Sequence, residues 1–119
     1  MPNFANPFCG NVERKISNAE LMQALRLDIA SELEAIFLYD AHSRATDDPV
    51  AKTVLADIRD EEKAHVGELI TLMRHLDPME AVFFLDGESE VKEMLETLEI
   101  SEAPIAPASG PTVGSLVKQ

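Results

Sequence analysis

The residues of this sequence best suited to chemistry are a glutamate and a histidine spaced to share one metal ion. Glu62 and His65 form a Glu-x-x-His motif within a stretch of helical periodicity. Residues three apart lie on the same helix face, so a carboxylate and an imidazole can converge there. Both fall on an apolar stripe, Glu62 four residues after Ile58 and His65 four before Leu69. A buried glutamate is costly unless it is paired or bound to a metal.

A second glutamate, Glu32, lies on the apolar stripe of an earlier helix, three residues after Ile29 and four before Ile36. If the two helices fold back at Asp47, Glu32 and Glu62 each lie 15 residues from the turn. At about 1.5 Å of rise per residue, they then stand at the same height. This is half of a di-iron carboxylate site, which needs two such sets from four helices. We therefore predict that two chains pair about a two-fold axis.

Other interpretations of these residues stay open. A histidine on an apolar face is usually a core residue, and Glu62 could form an ion pair with Arg59 or Lys63. Tyr39, seven residues after Glu32, could hydrogen-bond a metal ligand or simply pack in the core. The alternative functions are a helical interaction module without enzymatic activity, and a rubrerythrin-like peroxide reductase. The peroxide reductase would need the cysteine pairs of a rubredoxin iron site, and the chain has only one cysteine.

The elements that must position these residues are predicted to be helices. The motif Ser17-x-x-Glu20 is typical of a capping box, and helical spacing continues to about residue 44. Asp48 suits an N-cap and Pro49 a first helical position, which predicts a second helix over residues 49–76. The apolar stripes predicted to be buried comprise Leu21, Leu25, Ile29, Leu33, Ile36, Val54, Leu55, Ile58, Leu69, Leu72 and Met73.

Two shorter helical segments are predicted after the second helix. Asp77 and Pro78 repeat the same cap chemistry and begin a segment that ends at Gly87. A further amphipathic stretch covers Ser89 to about Ile100. The fold is thus predicted to be all-α, with two long antiparallel helices and a short C-terminal helix. The other histidines, His42 and His75, lie near helix ends and are expected at the surface.

Length and composition limit the possible functions. We divide the 119 residues into a flexible leader (1–14), one helical domain (15–100) and a flexible tail (101–119). The net charge of −12 argues against nucleic-acid binding, which needs basic clusters. No apolar run approaches the roughly 20 residues of a membrane span. The single cysteine, Cys9, argues against a disulfide framework and fits a reducing cytoplasm. We expect no nucleic acid or membrane partner.

Several segments together resemble the encapsulated ferritin family over residues 28–86. The first is Ser-Glu-Leu-Glu-Ala at 31–35, followed by Tyr-Asp at 39–40. The second is Arg-Asp-Glu-Glu-Lys-Ala-His at 59–65, and the turn at 45–49 is similar as well. The resemblance implies a ferritin-like four-helix bundle completed by dimerisation. It also implies a homo-oligomer, a ring of dimers with a decamer as the expected size.

The same resemblance implies a ferroxidase that oxidises Fe(II) with oxygen at a di-iron site between two chains. By that likeness, the iron ligands would be Glu32, Glu62 and His65. Tyr39 would lie beside the metal as a further catalytic residue, and Glu34 would belong to a cation-uptake site that binds metal on its way in. The iron would then pass into mineral stored by a partner shell.

Two positions depart from the family pattern, and the C-terminal tail adds a second likeness. Ser31 stands where members often carry a glutamate of the uptake site, and Leu38 where they carry a tryptophan.

The tail resembles the encapsulation signals by which cargo docks inside encapsulin shells. Val113 and Leu116 flank a glycine on a flexible tether, which suits docking of a short apolar peptide into a groove. We expect an encapsulin shell as partner and a location inside a cytoplasmic nanocompartment.

Overall fold

The computed structural model describes residues 11–99, and every regular element in that range is helical. The helices are α1 (Asn18–Ala45), α2 (Pro49–Leu76) and α3 (Pro78–Thr97). The predicted all-α fold is confirmed. Within the described range, no helix is both long enough and apolar enough to cross a membrane. The leader through residue 10, including Cys9, and the predicted linker and docking patch of the tail lie outside the described residues.

The helices begin where the sequence predicts, because side chains satisfy the free backbone N–H groups of each first turn. The Ser17 hydroxyl accepts from the Glu20 N–H at 3.1 Å, and the Glu20 carboxylate accepts from the Ser17 N–H at 3.1 Å. Asp48 and Asp77 each accept a hydrogen bond from the N–H two residues on. A proline in the first turn follows both.

The third helix differs from the prediction, because the two segments expected on either side of Gly87 are one helix of 20 residues. Gly87 keeps a negative φ, and a Cβ built on it would meet nothing within 4 Å. A glycine inside a helix costs about 1 kcal/mol relative to alanine, which the helix-forming residues around it outweigh. The helix ends instead at Thr97, with Leu98 as its C-cap, followed by Glu99 in the left-handed region with φ 55°.

The α1–α2 hairpin is antiparallel, and side-chain contacts hold the two helices together at both of its ends. Away from the turn, Met22, Leu25 and Met73 form the buried core, with four half-buried residues packed against them, namely Leu21, Ile29, Leu69 and Leu76. Near the turn, the Ser43 hydroxyl donates to the Lys52 carbonyl at 3.0 Å, and the Lys52 ammonium donates to the Ser43 carbonyl at 3.0 Å. These two attachments set the register in which the middle of α1 faces the middle of α2.

Part of the predicted apolar stripe is exposed within one chain. Leu33 is 53 % exposed, Val54 50 % and Leu72 40 %, so the prediction that these residues are buried is wrong for the single chain. The reason is geometric, because a hairpin of two helices covers only one side of each helix. Where such residues form one contiguous patch, that patch marks a surface for association.

Candidate metal centre

The structure brings Glu32, Glu62 and His65 together at the middle of the hairpin. One donor atom from each lies within 4.8 Å of the other two, and the described residues contain no second group of this kind. α1 supplies Glu32, while α2 supplies Glu62 and His65 from neighbouring turns of one face. The convergence follows from the short turn, since both glutamates lie equally far along the chain from it.

The distances between these atoms suit neighbouring ligands of one ion better than hydrogen bonds. His65 Nδ1 lies 3.5 Å from Glu62 Oε2 and 3.7 Å from Glu32 Oε1. Hydrogen bonds from nitrogen to oxygen are shorter, about 2.7–3.2 Å. Donors bound to one metal at about 2.0–2.2 Å lie up to about 4 Å apart, which matches both distances.

The three side chains are unequally covered. Glu62 and Glu32 are 17 % and 25 % exposed, whereas His65 is 47 % exposed. The group therefore lies at the surface of the hairpin, with its two carboxylates mostly buried and its imidazole about half exposed. A single chain supplies three ligands and leaves the exposed side of His65 available to a second molecule.

The nearby cations are engaged with other carboxylates. Arg59 donates to Asp40 across the helices at 2.7 Å and to Asp60 at 3.0 Å, and Lys63 lies 3.3 Å from Asp60. Hydrogen bonds from the Arg59 guanidinium hold the pKa values of both aspartates below their ordinary range. The alternative in which Arg59 or Lys63 neutralises Glu62 is therefore not the arrangement found.

The other residues singled out in the sequence lie apart from this group. Tyr39 is half-buried two turns after Glu32 on α1. Glu34 is also half-buried, but about 160° round α1 from Glu32, so it faces away from these ligands within one chain. His42 and His75 are exposed near the helix ends, as predicted. The roles of Tyr39 and Glu34 stay predictions.

The ion-pair network beside this group is not predicted from the sequence. Arg59 and Lys63 are expected there only as possible partners of Glu62, although Asp60 adjoins Arg59 in the sequence. Asp40 gives no local signal, because its partner Arg59 is 19 residues away and on the other helix. Only the register of the hairpin makes that pairing evident.

Comparison with known proteins agrees with the helical fold, although no family model matches the sequence. The chain is 42 % identical over 89 residues to the ferritin-like–encapsulin shell fusion protein of Pyrococcus furiosus. The match covers 75 % of this chain and 26 % of the fusion protein, so the chain spans about a quarter of the fusion protein's length. It is 36 % identical over 124 residues to the encapsulin nanocompartment cargo protein EncC of Myxococcus xanthus, covering 93 % and 95 %. The crystal structure of the encapsulated ferritin domain from Pyrococcus furiosus matches with a TM-score of 0.66 at 42 % identity, covering 74 % and 90 %.

Proposed function

Because the chain belongs to the family of ferritin-like encapsulin cargo proteins, we propose that it is a ferroxidase that oxidises Fe(II) to Fe(III) with oxygen. The observation that carries this proposal is the convergence of Glu32, Glu62 and His65 on one side of the hairpin. Fe(II) is the substrate, each ion gives up one electron, and oxygen is the acceptor. The acidic balance of the chain, with a net charge of −12, favours the approach of cations.

The donor set fits iron. Two carboxylates with one imidazole form a mixed oxygen and nitrogen site of the kind that iron accepts. Two negative charges favour Fe(III) over Fe(II), which helps the oxidation. Two copies supply a glutamate from each of two helices and a Glu-x-x-His pair from each of the other two, which is the di-iron arrangement of ferritin-like bundles. The exposed side of His65 is where a second chain would complete the set.

Single ligand substitutions test this proposal. Glu32→Ala, Glu62→Ala and His65→Ala are each expected to slow Fe(II) oxidation by at least about tenfold, as loss of even an outer-shell residue weakens metal sites by about 10–100-fold. Glu61→Ala and His75→Ala are matched controls, because both side chains are exposed on α2 outside the ligand group. Oxygen uptake is measured after Fe(II) addition, and circular dichroism verifies that each variant is helical. Wild-type rates in all three ligand variants would refute the site.

We further propose that the chain works as cargo inside an encapsulin nanocompartment, where the shell holds the oxidised iron. The support is the naming of EncC as an encapsulin cargo protein and the sequence of residues 112–117, which suits a short docking peptide. Deletion of residues 112–119 is expected to preserve oxidase activity and abolish co-purification with an encapsulin shell. A truncated chain that still loads into shells would contradict this docking role.

A further inference from the structure

Arg59 stands where an ion pair with the candidate ligand Glu62 would be expected. The two residues are three apart on α2, and side chains at that spacing are neighbours on one helix face. Both are mostly buried, with 24 % and 17 % of their side chains exposed, so salt would screen a pair between them less than a surface pair. A guanidinium bound to Glu62 would occupy the carboxylate oxygens that a metal ion needs.

No arginine or lysine of residues 11–99 pairs with the Glu62 carboxylate. Its ion-pair partner is His65, whose Nδ1 lies 3.5 Å from Oε2. The Arg59 guanidinium is bound elsewhere, because its Nη1 donates to Asp40 at 2.7 Å and its Nε donates to Asp60 at 3.0 Å. Its Nη2 donates to the second Asp60 oxygen at 3.3 Å. All three guanidinium nitrogens are thus directed at two aspartates.

The bond to Asp40 draws Arg59 away from Glu62 along the hairpin. Asp40 lies seven residues before Asp47 and Arg59 twelve residues after it. At about 1.5 Å of rise per residue, Asp40 therefore stands nearer the turn than Arg59 by about 7 Å. Glu62 lies three residues farther from the turn than Arg59. A guanidinium that reaches Asp40 thus extends along α2 in the direction opposite to Glu62.

The two aspartates are themselves held in place by two further cations. Arg44 donates to the second oxygen of Asp40 at 3.0 Å, and Lys63 lies 3.3 Å from Asp60. Each of these cations shares a helix with its aspartate, so each aspartate is oriented from its own helix while it binds Arg59. The Asp60 side chain is only 16 % exposed, which limits competition from water. Arg59 therefore has two acceptors whose positions do not depend on the ligand group.

We propose that Asp40 and Asp60 are positioning residues that hold Arg59 off Glu62 and so keep the Glu62 carboxylate available to a metal ion. The inference rests on the proposed role of Glu62 as a ligand. Without the two aspartates, the guanidinium is left beside Glu62 on one helix face and competes with the metal for its oxygens. Either aspartate alone still supplies an acceptor, so the release of Arg59 requires the loss of both.

Titration calorimetry of the full chain with Co(II), at one protein concentration, tests this role without relying on oxidase activity. Asp40→Ala and Asp60→Ala are each expected to weaken Co(II) binding about twofold or less, whereas the double variant weakens it about tenfold or more. Adding Arg59→Met to the double variant is expected to restore binding to within about threefold of the wild type. Lys63→Met in the same background is the matched control, because it removes the same charge from a side chain that does not face Glu62. It is expected to leave most of the loss in place.

The kinetics of Fe(II) oxidation separate competition by Arg59 from distortion of the site. A guanidinium that competes for Glu62 is displaced by sufficient Fe(II). The double aspartate variant is therefore expected to need more Fe(II) for its half-maximal rate and to keep the maximal rate of the wild type. Distortion of the hairpin would instead lower the maximal rate, and removal of Arg59 would not reverse it. Circular dichroism verifies that each variant is helical.

Arg59→Met alone is expected to bind Co(II) at least as tightly as the wild type, and this variant keeps the test decisive if the double aspartate variant does not fold. Three results would overturn the proposal: weaker binding by Arg59→Met alone, a double aspartate variant that binds like the wild type, or a loss that Lys63→Met reverses as well as Arg59→Met does. A Glu62→Ala variant that binds Co(II) like the wild type would refute the ligand assignment, and this proposal with it. Co(II) binding without Fe(II) oxidation would refute the ferroxidase activity alone.

Discussion

Met73 is the most deeply buried large side chain of the described residues, at 1 % exposure, and its replacement by alanine tests how the hairpin is held. It packs with Met22 and Leu25 at the end of the hairpin away from the turn. Buried methionine to alanine changes cost about 2–5 kcal/mol, from lost burial and from the cavity left behind. Because Met22 is flexible enough to refill part of the cavity, we expect about 2–3 kcal/mol.

Leu72→Ala is the matched control, since Leu72 is the adjacent residue and is 40 % exposed. Leu72→Ala is expected to lower the free energy of unfolding by less than about 1 kcal/mol. The free energy of unfolding is measured by urea titration at one protein concentration and in chelator, because assembly and metal both stabilise the folded chain. Equal losses for the two variants would refute the assignment of this core.

Three further predictions concern the cap of α1, the glycine within α3 and the charges around Arg59. Ser17→Ala removes the capping box of α1 and is expected to lower the free energy of unfolding by about 1 kcal/mol; an unchanged value would contradict the cap. Gly87→Ala is expected to increase the helicity measured by circular dichroism and to stabilise α3 by up to about 1 kcal/mol. A loss of helicity or stability in this variant would mean that the helix breaks at residue 87. Because Arg59 lowers the pKa values of Asp40 and Asp60, their stabilising effect is complete above the ordinary value of 3.8 and is lost as the pH falls through the lowered values. Arg59→Met should therefore lose less stability than the wild type as the pH falls. Urea titrations below pH 5 in which the two proteins lose equal stability would contradict this expectation.

The start of each helix could be predicted from the sequence because the signals are local. Ser17, Asp48 and Asp77 cap N–H groups within three residues of themselves, so no tertiary information is needed. The turn length also places Glu32 opposite Glu62 once α1 and α2 are known to be antiparallel. For this reason the sequence alone was enough to identify three side chains that the structure brings together.

Long-range features could not be predicted in the same way. Apolar spacing shows that Leu33 belongs to a stripe, but it does not show whether the cover comes from the same chain or from another. Glycine often ends helices, so the sequence favours a helix end at Gly87, whereas the helix continues through this residue in the structure. The pairing of Asp40 with Arg59 depends on the register between helices, which emerges only from the folded hairpin.

The shared di-iron site is tested most directly by an anomalous-scattering map, recorded at the iron absorption edge, of crystals soaked in Fe(II) without oxygen. We expect two iron peaks close to a two-fold axis between two chains. Both irons should be bound by Glu32, Glu62 and His65, with both chains supplying ligands to the pair. The shared site would be contradicted by crystals with no iron at these residues, or by a single iron bound to one chain with no second chain beside it.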